Sequence, residues 1–183
     1  MKNLLLLIAV LFILTSCDKD KDDEKPINPI DQLPPATQTG ANTFGCLLDG
    51  EVFKPGINHN SYQCYYQYVN GGYHFNVNAN NTSNNILKGI MIGTSKLEIT
   101  QNQILNLYER VERNAFGSLS NLDDNTGHYQ FNETSITNSG ELKITKLDFK
   151  NNIVSGTFWF DVIDDKGVLH QIREGRFDMQ FTQ

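Results

Sequence analysis

Three cysteines, one tryptophan and four histidines are all that this 183-residue chain offers to thiol, indole or metal chemistry. His59, His74, His128 and His170 are scattered, and neither a Cys-x-x-Cys nor a His-x-x-x-His pair occurs, so no metal-ligand spacing and no cofactor motif is legible. No serine stands in a Gly-x-Ser-x-Gly elbow. Gly71-Gly72 leads into no helix, which removes it as a phosphate cradle. The longest apolar run, residues 4–14, falls well short of the roughly 20 residues that span a bilayer. Basic residues are few: 15 against 21 acids give a net charge of −6 and a pI near 5.1, which argues against a nucleic-acid partner.

What is present begins at the N-terminus. Lys2, the apolar run and the small residues that end it have the architecture of a secretory signal. The ending Leu14-Thr15-Ser16-Cys17 resembles the lipobox of bacterial lipoproteins. That resemblance implies cleavage after Ser16, lipidation of Cys17 and a lasting lipid anchor in a cell-envelope membrane. The mixed-charge run Asp18-Lys19-Asp20-Lys21-Asp22-Asp23-Glu24-Lys25 cannot collapse and reads as a solvated spacer. Its acidic bias, with Lys21-Asp22-Asp23, is similar to the signal that sends Bacteroidetes lipoproteins to the outer face of the outer membrane. In the enterobacterial code, Asp18 directly after the cysteine points instead to inner-membrane retention. Pro26, Pro29, Pro34 and Pro35 then stiffen a linker that runs to Asn42. The organisation expected is a signal over 1–16, a lipidated cysteine and tether over 17–42, and one domain over 43–183.

Within that domain the period is two. Asp49-Gly50 and Asn70-Gly71 are hairpin turn signals between runs of alternating apolarity. In residues 73–80 the apolar set Tyr73, Phe75, Val77 and Ala79 alternates with His74, Asn76, Asn78 and Asn80. Leu142 and Ile144 share one parity, Leu147 and Phe149 the other, which predicts a β-bulge near Thr145-Lys146. Phe158-Trp159-Phe160 points the indole away from both phenyl rings. The pattern predicts an all-β fold, a single antiparallel sandwich or partly closed barrel. One segment resists: Ile104, Leu107, Tyr108 and Val111 fall at helical spacing behind a Thr100/Gln103 capping box, so residues 101–112 fit either a short helix or short strands. Cys46 and Cys64, left over once Cys17 is lipidated, read either as one disulfide or as two buried thiols.

Several stretches carry a family resemblance: Ala36-Thr37-Gln38-Thr39-Gly40-Ala41-Asn42-Thr43-Phe44-Gly45-Cys46-Leu47 with Asp49-Gly50, then Ile144-Thr145-Lys146-Leu147-Asp148, Ser155-Gly156-Thr157-Phe158 and Glu174-Gly175-Arg176-Phe177-Asp178. Over about residues 34–181 the chain resembles an uncharacterised lipoprotein family of Bacteroidetes. The resemblance implies strands throughout and brings no chemistry with it.

For function, the polar face of the 62–80 hairpin offers Tyr65, His74 and Asn76 with Gln63, Gln67 and Asn78. Flat rings beside amides suit a neutral polyol, by stacking and paired hydrogen bonds. Trp159 is a further stacking candidate if exposed. These residues predict a non-catalytic envelope binding module whose partner is a glycan or an envelope protein. A lipocalin-like barrel carrying an apolar ligand is the alternative. A hydrolase using Asp161, Asp164 and Asp165, or Asp123 and Asp124, ranks third, because acids at turns are usually turn formers.

Overall fold

Asparagine, aspartate and glycine supply the left-handed backbone that tight hairpins require, and the chain folds at them. Asp49 and Gly50 (φ 53° and 84°) join β1 (Thr43–Leu48) to β2 (Glu51–Phe53), and Asn70 and Gly71 (51° and 82°) join β3 (Tyr62–Val69) to β4 (Gly72–Ser83). Asn84 and Asn85 do the same for β4 and β5 (Ile86–Thr94). The computed structural model describes residues 28–57 and 61–183, so the signal and Cys17 lie outside the described residues, as does His59. The remaining strands are β6 (Ile104–Leu107), β7 (Ala115–Asp123), β8 (His128–Glu133), β9 (Gly140–Asp148), β10 (Ile153–Ile163) and β11 (Leu169–Gln180).

All eleven belong to one sheet, in the order β2-β1-β11-β10-β9-β6-β7-β5-β4-β3, with β8 added on β7. The sheet is mixed rather than purely antiparallel, because β6 meets β7 in parallel at Leu107 and Ala115. It is not closed into a barrel. Its edges are tied by isolated backbone bonds: Tyr66 N–H donates to Thr182 O (2.9 Å), Thr182 N–H to Cys64 O (3.1 Å) and Gly56 N–H to Asn80 O (2.9 Å). The bulge expected near Thr145 is present, since Ser155 faces Lys146 while Gly156 faces Ile144.

Inside the curl lies a single apolar cluster fed by almost every strand. Phe75, Val77, Ile90, Ile92, Leu142, Ile144, Phe160, Ile172 and Phe177 are all at most 2 % exposed. Residues 101–112 form no helix. Thr100 and Gln103 do bond (Thr100 N–H to Gln103 Oε1, 2.8 Å), but they close a turn, and Ile104–Leu107 then pairs with β9 from Ile104↔Lys143 to Leu107↔Gly140. Leu107 gains complete burial there, which an exposed helix could not give it, so tertiary pairing overrides the local period.

Cys46 and Cys64 are free thiols. Cys46 sits where β1 crosses the Arg173–Arg176 stretch of β11, whereas the Cys64 carbonyl accepts from Thr182 N–H beyond the end of that strand. Burial raises both thiols far above their ordinary pKa. Maleimide labelling with peptide mapping is therefore expected to leave Cys46 and Cys64 unmodified in the native protein and to modify both after denaturation.

The linker reading needs correction at its C-terminal end, for the folded unit begins before Thr43. Leu33 is buried, and the Pro34 ring lies where a side chain at position 45 would stand, against Gly45. Residues 37–41 are latched to Asp178 on the outer face of β11. One oxygen, Oδ2, accepts from Thr37 Oγ1 (2.7 Å), Thr39 N (2.9 Å), Thr39 Oγ1 (3.2 Å) and Ala41 N (3.2 Å). The other accepts from Gly40 N (2.8 Å) and Ser155 Oγ (2.7 Å). Burial alone would push this carboxyl up. The bonds from Thr37, Thr39, Ser155 and Gly40 outweigh it and hold the group far below the usual carboxylate range.

Candidate functional site

Where the C-terminal residues tie β11 to β3, the surface opens into a groove of about 600 Å3. The Tyr65 ring and the Gln63 amide come from one face of β3, Tyr62 lines the groove from the core-packed face, and Asn42, Asn151, Asn152 and Gln180 come from three other segments. Every polar side chain lining it is uncharged. Part of the amide capacity is spent on architecture: Asn42 Oδ1 accepts from Gln180 N (2.9 Å), and Asn152 Oδ1 from Gln183 Nε2 (2.9 Å). Among the described residues the hydroxyls of Tyr62 and Tyr65 and the side-chain amides of Gln63 and Gln180 have no protein partner, which leaves donors and acceptors for a ligand.

The structure thus gathers some of the expected residues and separates others. Tyr65 is half-buried on the groove wall, with Gln63 beside it. Asn76 pairs with Tyr65 in register but is only 5 % exposed, its amide folded over Gly93. His74 lies beyond it, opposite Gln67, towards the Lys96–Glu112 ion pair. Trp159 is 42 % exposed on β10, and it does point away from the buried Phe158 and Phe160. Its neighbours are Glu141, Thr157 and Glu174, with the Arg173 guanidinium 5.4 Å from the ring. No residue of the 62–80 hairpin lines the cleft beside it. The amides of Asn42, Asn151 and Asn152 escaped the sequence reading because they look like turn residues, and only the sheet's curl brings those turns to β3.

Of the acids considered for hydrolysis, Asp123, Asp161, Asp164 and Asp165 are engaged by other protein groups. Asp123 Oδ1 accepts from Asn125 N (2.9 Å), and Asp164 Oδ1 from Lys166 N (2.9 Å) and Val168 N (2.7 Å). These turn bonds lower the pKa of both carboxyls. Asp161 pairs with Arg173 (2.6 Å), and Arg176 with Glu174 (3.3 Å). Asp178, further along β11, pairs with neither arginine. An apolar carrier would need a hollow interior, yet the curl is filled by interlocking rings: Phe75–Phe177 at 6.0 Å, Phe158–Phe177 at 6.4 Å and Phe158–Phe160 at 6.3 Å. Fold and groove together define an all-β domain with an uncharged, solvent-open groove. Compared with known proteins, the chain matches no family model, no curated protein and no solved structure.

Proposed function

We propose that this chain is the binding module of a lipid-anchored cell-envelope protein, and that the groove beside Tyr65 receives a neutral carbohydrate. The observation that carries this reading is the groove's composition: the Tyr65 ring and five amide side chains, without a charged group. Rings stack on the apolar face of a sugar while amides pair with its hydroxyls, and neither needs a charge on the ligand. The lipobox-like ending at Cys17 supports anchoring, and the acidic run after it supports placement at the outer membrane.

The test is a calorimetric titration with neutral oligosaccharides against wild type and Tyr65→Ala. Loss of the ring is expected to weaken binding about tenfold, equivalent to about 1.4 kcal/mol. Trp159→Ala is expected to leave the affinity unchanged, because the indole lies outside the groove. Equal affinity of wild type and Tyr65→Ala would overturn the reading.

A further inference from the structure

Four hairpin turns, at 49–50, 84–85, 124–127 and 164–168, ring one end of the curled sheet. Just inside that mouth a polar row crosses four strands on the inner face: Asn81, Lys88, Asn121 and Gln130 stand side by side in register. One layer deeper β4, β5 and β7 present Ala79, Ile90 and Leu119, all at most 1 % exposed, and β8 presents the buried Asn132. The mouth therefore has a floor that is apolar on three of its four strands, under a belt of polar side chains. Mouths of this kind are preferred ligand positions in curled and closed sheets.

Two members of the belt are left over. Asn81 donates to Lys54 O (2.7 Å), and Gln130 is bonded to Asp165. Among the described residues Lys88 makes no hydrogen bond or ion pair, although it lies between two adjoining clefts of about 570 and 310 Å3 and lines both. Beside it, Asn121 Oδ1 is out of solvent contact without a hydrogen-bond partner. Among the described residues no carboxylate of the rim pairs with the lysine. Asp49 holds His170 Nδ1 (2.8 Å) and Gln171 N–H (2.8 Å), Asp164 and Asp123 close their turns, and Asp165 takes Gln130. Glu51, across the larger cleft, forms no ion pair with Lys88. A half-buried cation beside an unsatisfied buried acceptor is costly unless something fills both needs.

We propose that this mouth is a second ligand site, which takes a small hydroxylated carboxylate of about the size of a uronic acid. The carboxylate meets the Lys88 ammonium, and a hydroxyl donates to Asn121 Oδ1. As directly opposed cross-strand neighbours, the two residues have Cβ atoms about 5 Å apart, a span that a carboxylate and a nearby hydroxyl of one sugar acid can bridge. The site is separate from the Tyr65 groove and differs from it in requiring charge on the ligand.

The test is a titration of the purified full chain with galacturonate, followed by calorimetry and amide chemical shifts, with galactose as the neutral control. Galacturonate is expected to bind and to shift amides on β5, β7 and β8, and galactose to leave those amides unmoved. Lys88→Met and Asn121→Leu are each expected to weaken galacturonate roughly tenfold or more, the worth of one charge-assisted or buried hydrogen bond. Lys88→Arg keeps the cation and is expected to retain most of the affinity, which separates charge loss from misfolding. Tyr65→Ala is expected to have no effect here, so failure of the groove reading and failure of this one are told apart. Wild-type affinity in Lys88→Met, equal binding of galactose at this mouth, or no saturable galacturonate binding would each overturn the proposal.

Discussion

Replacing Asp178 with alanine is expected to cost the domain about 4 kcal/mol, a large share of the 5–15 kcal/mol that holds most domains folded. The carboxylate is fully buried and accepts from three backbone N–H groups and three hydroxyls. Without it the buried Ser155 hydroxyl and the partly buried donors of residues 37–41 lose their shared acceptor, and each donor kept from water costs on the order of 1–3 kcal/mol before relaxation. Asparagine is not expected to rescue. Every partner is a donor, so an amide NH2 in place of either oxygen would face further N–H or O–H groups. The pH dependence has a definite sign. The folded carboxyl lies far below its ordinary range, so its contribution is complete above about pH 4, the unfolded value, and is lost as the pH falls through the folded one. Urea unfolding should therefore show wild type well above Asp178→Asn at pH 7, with the gap closing only under strong acid. Equal midpoints at pH 7 would refute the role given to the clasp.

The clasp also shows what could be seen in the sequence and what could not. Hairpins at Asp49-Gly50 and Asn70-Gly71 were legible because a turn's chemistry is local, and so was the bulge near Thr145, where side-chain parity slips within one strand. Residues 34–42 read as linker because their composition is that of a linker. What orders them is a single carboxylate some 140 positions away, which no local pattern announces. Ile104–Leu107 was ambiguous for a different reason: its helical period was genuine, yet β9 and β7 offered backbone partners on both sides and decided for the strand. The candidate site was half visible. Tyr65 and Gln63 lie on one strand face, as period two requires, but the other amides arrive from separate turns once the sheet curls.

Removing the Phe160 ring should be about as damaging as losing Asp178, and for the opposite reason. Phe160 is wholly buried, and its ring lies over the backbone of Gly117, where an added Cβ would stand 2.8 Å from Cδ1 and 2.9 Å from Cγ. Phe160→Ala is expected to lose about 4 kcal/mol, part transfer energy and part unfilled cavity. Gly117→Ala alone should cost about 1–3 kcal/mol, because the new methyl forces the ring or the strand aside. In the double variant the methyl meets empty space instead of a ring, so its penalty is expected to shrink or reverse, giving a double-mutant coupling of 1 kcal/mol or more. Additive effects would mean that ring and glycine do not touch. The same variant bears on the apolar-carrier reading. A cavity lined by aliphatic and aromatic side chains stays dry and takes up small apolar molecules, so Phe160→Ala should gain stability in the presence of benzene. Wild type, whose interior the ring already occupies, should gain none. A wild type stabilised as strongly as the variant would mean that the curl is hollow enough to carry cargo.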